Sequence, residues 1–196
     1  MKKLTQNEFK LPNAPNINGR KSTIAKALSD GIAPRYRPNN KEYNEYLMFF
    51  HKDIEDNFLC AYCGIKSDYL EHFRPLVENK KPTGYGSDIY NLVPSCKTCN
   101  EKKKNDYWKT WMNNLEIIGT VHSENHNKRF DNLKKFESWG ENKVIHINYE
   151  NLIGSEIWSK YLKSFEELLT TMDELNTIQT IIRNKVKEKV KTANKV

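Results

Sequence analysis

The chain has 196 residues, 37% of them hydrophobic, and a formal net charge of +7. That is enough for one compact domain with extensions, burying about 70% of the surface its unfolded chain exposes, and the excess of positive charge suits a polyanionic partner such as nucleic acid. No stretch approaches the roughly 20 apolar residues of a membrane span, and Met1 to Lys10 lack the apolar core of a secretory signal, so a soluble, cytoplasmic protein is expected.

In chain order, residues from Met1 to about Asn40 are rich in Pro, Asn and basic side chains and read as a surface arm, with one helix over Ser22 to Leu28 stopped near Gly31. Glu42 to Phe58 set Tyr43, Tyr46, Leu47, Phe50 and Ile54 at steps of three and four, an amphipathic helix. Tyr69 to Phe73 and Asn91 to Pro94 have strand character, joined by a loop bearing Gly84 and Gly86. Cys96 through Trp111 is lysine-rich and reads as one helix. Gly119 to Asn148 reads as a helix carrying Phe130, Leu133, Phe136 and Trp139, followed by a strand at Lys143 to Ile147. From Ile157 to Val186 the apolar positions keep a helical period that needs a partner surface. Packing on the chain's own core competes there with a homodimer interface, and the end from Lys185 to Lys195 is expected to fray. The expected division is an N-terminal arm and helix at 1–56, a compact module at 57–111 and a mainly helical region at 112–196.

The chemistry is concentrated in the module. Cys60/Cys63 and Cys96/Cys99 form two Cys-x-x-Cys pairs with no cysteine left over. The two-residue spacer lets both sulfurs of a pair reach one tetrahedral zinc at about 2.3 Å. A disulfide framework is disfavoured, because small secreted scaffolds are denser in cysteine. A unit of about fifty residues is below the size at which a core alone is secure, so a structural zinc would supply much of its stability.

The strings Cys60-Ala61-Tyr62-Cys63, Glu71-His72-Phe73-Arg74-Pro75 and Asn91 through Lys103 resemble the HNH endonucleases of the ββα-metal type, in the subgroup stapled by four cysteines, over about Asn57 to Asp106. The resemblance implies an α+β fold, a ββα-metal module closed by a four-cysteine zinc site and embedded in mainly helical extensions. It implies a divalent-metal-dependent endonuclease hydrolysing double-stranded DNA. A 196-residue chain with one such motif and helical flanks suits a stand-alone restriction or phage-defence enzyme, with a mobile-element endonuclease or a nonspecific toxin as the other roles open. His72 matches the general base, and Asn91 the residue that orients it. Glu71, where the family more often has Asp, and Asn100 match the ligands of a catalytic Mg²⁺ or Mn²⁺ distinct from the structural Zn²⁺. Lys103 matches a basic position that would contact DNA, and Lys102 and Lys104 flank it. Tyr107, Trp108 and Trp111 are aromatic candidates for the same surface, Trp111 reading as core. Arg35 and Arg37 are further DNA contacts, read from their place in a Pro-bounded basic loop. The competing reading is a zinc-ribbon-like nucleic-acid-binding module without catalysis.

Overall fold

The computed structural model describes residues 16–50, 52–53, 55–114 and 125–193. The described residues form two compact units, one of residues 16–24 with 159–193 and one made of the described residues within 25–158. Helix α1 is Lys21–Ile32 and runs on through Gly31. The first unit holds a 3-10 turn at Ile17–Arg20, opened by Asn16 accepting from the Asn18 N–H at 2.9 Å, the start of α1, and most of the longest helix, α7 (Ser155–Ala193). Within this unit Lys21 pairs with Asp173, and α7 buries Phe165 and Met172 while Leu175, Ile178, Ile182 and Val186 stay half exposed. The described helix continues to Ala193, past the point where fraying is expected.

The second unit is built around a two-stranded ribbon. Strand β1 (Tyr69–His72) pairs antiparallel with β4 (Leu92–Ser95), Glu71 opposite Val93 and His72 opposite Leu92. Helix α3 (Lys97–Lys103) follows β4 directly, giving the ββα order expected. Between the strands lies a small hairpin, β2 (Val77–Glu78) with β3 (Lys81–Pro82).

Three elements differ from expectation. Helix α2 is only Asn40–Leu47, opened by a reciprocal capping box between Asn39 and Glu42. The chain beyond it does not continue as helix, because Asp53 takes the N–H groups of Glu55 and Asn57 into a local turn, both at 2.9 Å, a competition short acidic side chains win against helix. The 96–111 helix is two helices, α3 and α4 (Trp108–Asn114), separated where Lys104 adopts φ 52°. That break turns Trp108 inward to stack on Phe73, centroids 5.2 Å apart. Residues 143–147 make no strand; Ile145 and Ile147 bond instead to the backbone of Gly86 and Gly84 at 3.2 and 2.9 Å.

Helix α5 (His126–Gly140) closes the core over the ribbon. Its Phe136 meets Phe73 edge-on at 5.2 Å and packs on Tyr46 and Phe50, joining α2, β1 and α5 in one aromatic cluster. Such contacts are favourable beyond the area they bury. The short helix α6 (Tyr149–Ile153) follows, its Tyr149 stacked on Trp158. His51 and Ile54, in one expected helix, and residues 119–124, in another, lie outside the described residues.

Candidate functional site

The four cysteine sulfurs lie within 4.8 Å of one another and all four residues are buried. Cys63 Sγ and Cys96 Sγ are 3.6 Å apart, close to the edge of about 3.8 Å that a tetrahedron of 2.3 Å zinc–sulfur bonds requires. None is in a disulfide. Each pair sits on a turn that the backbone fixes. Cys60 N–H donates to Ile65 O at 2.6 Å, Ala61 N–H to Pro94 O at 2.8 Å, and Cys99 N–H to Cys96 Sγ at 3.4 Å at the start of α3. Mutual hydrogen bonding pulls the Cys60 thiol far down and pushes Cys63 up to about 12 and Cys99 above its ordinary value. Four thiolates cannot share this volume without a cation, and the donor set fits zinc. Arg129 on α5 supplies outer positive charge. Burial lowers its pKa, and the thiols of Cys63, Cys60 and Cys99 oppose that shift, while its Nε donates to Tyr62 O at 2.8 Å.

His72 ends β1 on the other face of the ribbon. Successive side chains alternate, so Glu71 points inward while the partly buried His72 ring meets Ser87, Nε2 to Oγ 2.8 Å. Ser87 is itself clamped by the arm, its N–H donating to Pro34 O at 2.8 Å and its C=O accepting from Tyr36 N–H at 3.1 Å. Burial first, then the positive charge of Lys26, lowers the His72 pKa to about 4, with Lys103 and Arg35 adding and Asp30 opposing. At neutral pH the imidazole is uncharged and able to accept a proton.

Asn91 is fully buried and uses its amide completely. Its Oδ1 accepts from Arg74 N–H at 2.7 Å, and its Nδ2 donates to Arg74 O at 3.1 Å and Gly86 O at 2.9 Å. It ties the turn after His72 to the segment before Ser87, an orienting position reached through backbone. Asn100 is half exposed on α3, one turn before Lys103.

Glu71 and Lys103 are placed differently from expectation. The Glu71 carboxylate is buried, Oε1 accepting from the Tyr62 hydroxyl and lying 3.1 Å from Lys103 Nζ. Lys103 is fully buried, and its ammonium also donates to His72 O at 3.3 Å. Lys103 Nζ is seated at that carboxylate oxygen, where a divalent cation on Glu71 Oε1 would meet a positive charge. Strand alternation sends residue 71 toward α3 and the first knuckle, and residue 72 away. Lys103 cannot contact DNA from this position, whereas Lys102 and Lys104 are exposed. Trp108 and Trp111 are core, and Tyr107 remains half exposed, its hydroxyl on Glu137 at 2.7 Å.

A cluster of four sulfurs, a histidine at a strand end, a buried asparagine behind it and a helix leaving the second knuckle all fall within one short segment. Residues 60–106 match the HNH endonuclease family. No curated protein and no solved structure matches the chain. The HNH segment starts at the first cysteine of the cluster and ends just past α3, and the match supports a nuclease hydrolase that binds nucleic acid and uses a divalent metal. Among the described residues no helix is long and apolar enough to cross a membrane.

Around His72 the structure gathers Lys26 and Asp30 of α1 and Arg35 of the arm, all outside the matched segment, and Ser87 within it. The Arg35 guanidinium pairs with Asp30 at 3.0 Å. An open groove of about 420 Å³ beside Ser87 is lined by Arg35, Tyr36, Arg37 and Pro38. Gly86 gives the sequence signal for Ser87, since a Cβ there would lie 2.5 Å from Pro34 O, so the loop can meet the arm only through glycine. Nothing in the spacing of Lys26 or Asp30 marks them, because their neighbourhood is made by the arm folding back.

Proposed function

We propose that the chain is an endonuclease that hydrolyses phosphodiester bonds in double-stranded DNA, with His72 as general base. The observation that carries the reading is the partly buried imidazole at the end of β1, hydrogen-bonded at Nε2 to Ser87 Oγ and subject to the positive charge of Lys26 and Arg35. His72 takes a proton from water as the water oxygen attacks phosphorus. The bond from phosphorus to the 3′-oxygen breaks, the leaving oxygen takes a proton from solvent, and the ends carry 5′-phosphate and 3′-hydroxyl. Asn91 keeps the histidine's turn in register, and Arg35 and Arg37 hold backbone phosphates along the groove beside Ser87. A divalent ion, Mg²⁺ or Mn²⁺, would supply charge stabilisation at the phosphate when bound. Asn100 is the hard oxygen donor of α3 available to it, and no step is assigned to Glu71. Zinc held by the four cysteines is structural. A homodimer through the half-exposed stripe of α7 completes the proposal, and sedimentation of the whole chain reads it.

His72→Ala is expected to lower plasmid cleavage in Mg²⁺ or Mn²⁺ by at least about 100-fold, the scale of general-base catalysis, with zinc content and melting unchanged. Full activity of that variant would remove the assignment. The competing reading, a zinc-ribbon-like binding module without catalysis, draws support from the burial of Glu71. It predicts DNA binding without divalent-dependent cleavage by the wild-type chain.

Two further outcomes follow from the site. The base is the unprotonated ring, so cleavage is expected to rise with pH through about 4 and to stay level through neutrality as far as His72 governs it. An acid limb near the ordinary histidine value would contradict the burial of the ring. Replacing both Arg35 and Arg37 with Ala should weaken binding to all DNA sequences alike and reduce the slope of log affinity against log salt by about 1 per lost phosphate contact, measured by fluorescence anisotropy at several salt concentrations.

A further inference from the structure

We infer that Ser87 is a positioning residue that holds His72 in the tautomer with its hydrogen on Nε2, leaving Nδ1 as the nitrogen that takes the proton from water. This rests on His72 being the general base.

A neutral imidazole has one donor and one acceptor nitrogen. Ser87 Oγ lies 2.8 Å from Nε2 and could serve either role. Were the hydroxyl to donate, the Nε2 lone pair would be consumed and Nδ1 would carry the hydrogen, leaving no nitrogen to receive one. Only with Nε2–H donating to Ser87 Oγ is a lone pair free, at Nδ1.

The segment presenting that hydroxyl is fixed on several sides. Ser87 N–H and C=O are both bonded to the arm, at 2.8 Å to Pro34 O and 3.1 Å from Tyr36 N–H. Gly86 O accepts from Asn91 Nδ2 at 2.9 Å, and Gly86 N–H donates to Ile145 O at 3.2 Å. On the other side Asp88 is fully buried, its carboxylate accepting from Tyr90 N–H at 2.8 Å and Ile145 N–H at 3.0 Å. The ring's own backbone is equally held, with Phe73 N–H on Asn91 O at 2.7 Å. Two rigid segments thus meet through one side-chain hydrogen bond, and Asn91 anchors both. Partners that orient a working histidine in this way are typically worth about 10- to 100-fold in activity.

The test uses the full zinc-loaded chain. Nitrogen-15 spectra of the histidines, with the His72 signals assigned by comparison with His72→Ala, are expected to show hydrogen on Nε2 at neutral pH. Ser87→Ala should erase that preference and lower kcat by about 10- to 100-fold with KM for DNA unchanged, and Ser87→Thr, which keeps the hydroxyl, should restore kcat. Zinc content reports whether each variant is folded; if Ser87→Ala fails that control, the wild-type tautomer and the threonine rescue decide. Hydrogen on Nδ1 in the wild type, no rescue by threonine, or wild-type kcat in Ser87→Ala beside an inactive His72→Ala would overturn the role of Ser87. An active His72→Ala would instead overturn the base assignment beneath it.

Discussion

Stripping zinc with a strong chelator is expected to unfold the 25–158 unit rather than merely to loosen it. The ribbon has four-residue strands, and a two-stranded sheet of that length is marginal in water by itself. The first knuckle is joined to the second through short backbone bonds and four sulfurs. Structural zinc contributes apparent binding free energies of about 10 to 16 kcal/mol in small modules, as large as the whole stability of a typical domain at about 5 to 15 kcal/mol. Without the ion the buried thiolates repel one another or protonate, and Arg129 loses the anionic cluster it faces. Disorder of the knuckles would withdraw Tyr62 from Glu71 and release Phe73 and Trp108, both fully buried and stacked. The checks are one zinc per chain by elemental analysis, protection of the four thiols from a thiol reagent until chelator is added, and loss of the tryptophan fluorescence signature on chelation. Cys99→Ser should reproduce the chelator's effect. A metal-free chain that melts at the temperature of the zinc-loaded one would overturn the structural role of the cluster.

What the sequence shows and what it conceals divide along local and non-local lines. The cysteine set is legible because Cys-x-x-Cys spacing is a local geometric requirement, and the ββα order because each extended run is marked by its own residues and the lysine-rich helix follows the second directly. His72 and Asn91 are legible only through resemblance, and the structure brings both to the same turn. The place of Glu71 is concealed because neighbouring residues of a regular strand face opposite ways, and β1 stays regular through His72. Lys103 is concealed because a helix lysine looks solvated until the partner that neutralises it is known, and that partner, Glu71, lies far back in the chain and is brought near only by the fold. The break at Lys104 has no glycine or proline to announce it; burial of Trp108 against Phe73 overrides the helical propensity of the lysine run. The arm residues around His72 are least legible of all, since a single bridge between Arg35 and Ser87 brings them there.

Lys103→Met is expected to destabilise the zinc-loaded protein by about 3 to 5 kcal/mol, because it strands a buried carboxylate without its counter-charge. The pair is almost wholly removed from solvent, with side-chain exposures of 0% for Lys103 and 4% for Glu71. Burial raises the Glu71 pKa even though Lys103 and the Tyr62 hydroxyl oppose the shift. Ionising this carboxylate in its site therefore costs more than its partners return. In linkage terms a raised carboxylate pKa favours the folded state below the group's unfolded value, and that contribution is lost as pH rises through the folded value. Removing both charges together in a Glu71→Gln/Lys103→Met variant should thus recover most of the loss, as replaced buried ion pairs commonly do, and the non-additivity of the cycle measures the coupling. The recovered protein should still cut more slowly, because the Lys103 ammonium also holds His72 O and the end of β1 loses that anchor. Glu71→Gln alone separates a structural from a metal-binding carboxylate. As half of a buried pair, its loss lowers stability in denaturant while the divalent-ion concentration for half-maximal cleavage stays where it was. A variant of undiminished stability that needs at least about tenfold more Mg²⁺, a cost that loss of even an outer-shell contact can reach, would instead return Glu71 to the catalytic ion.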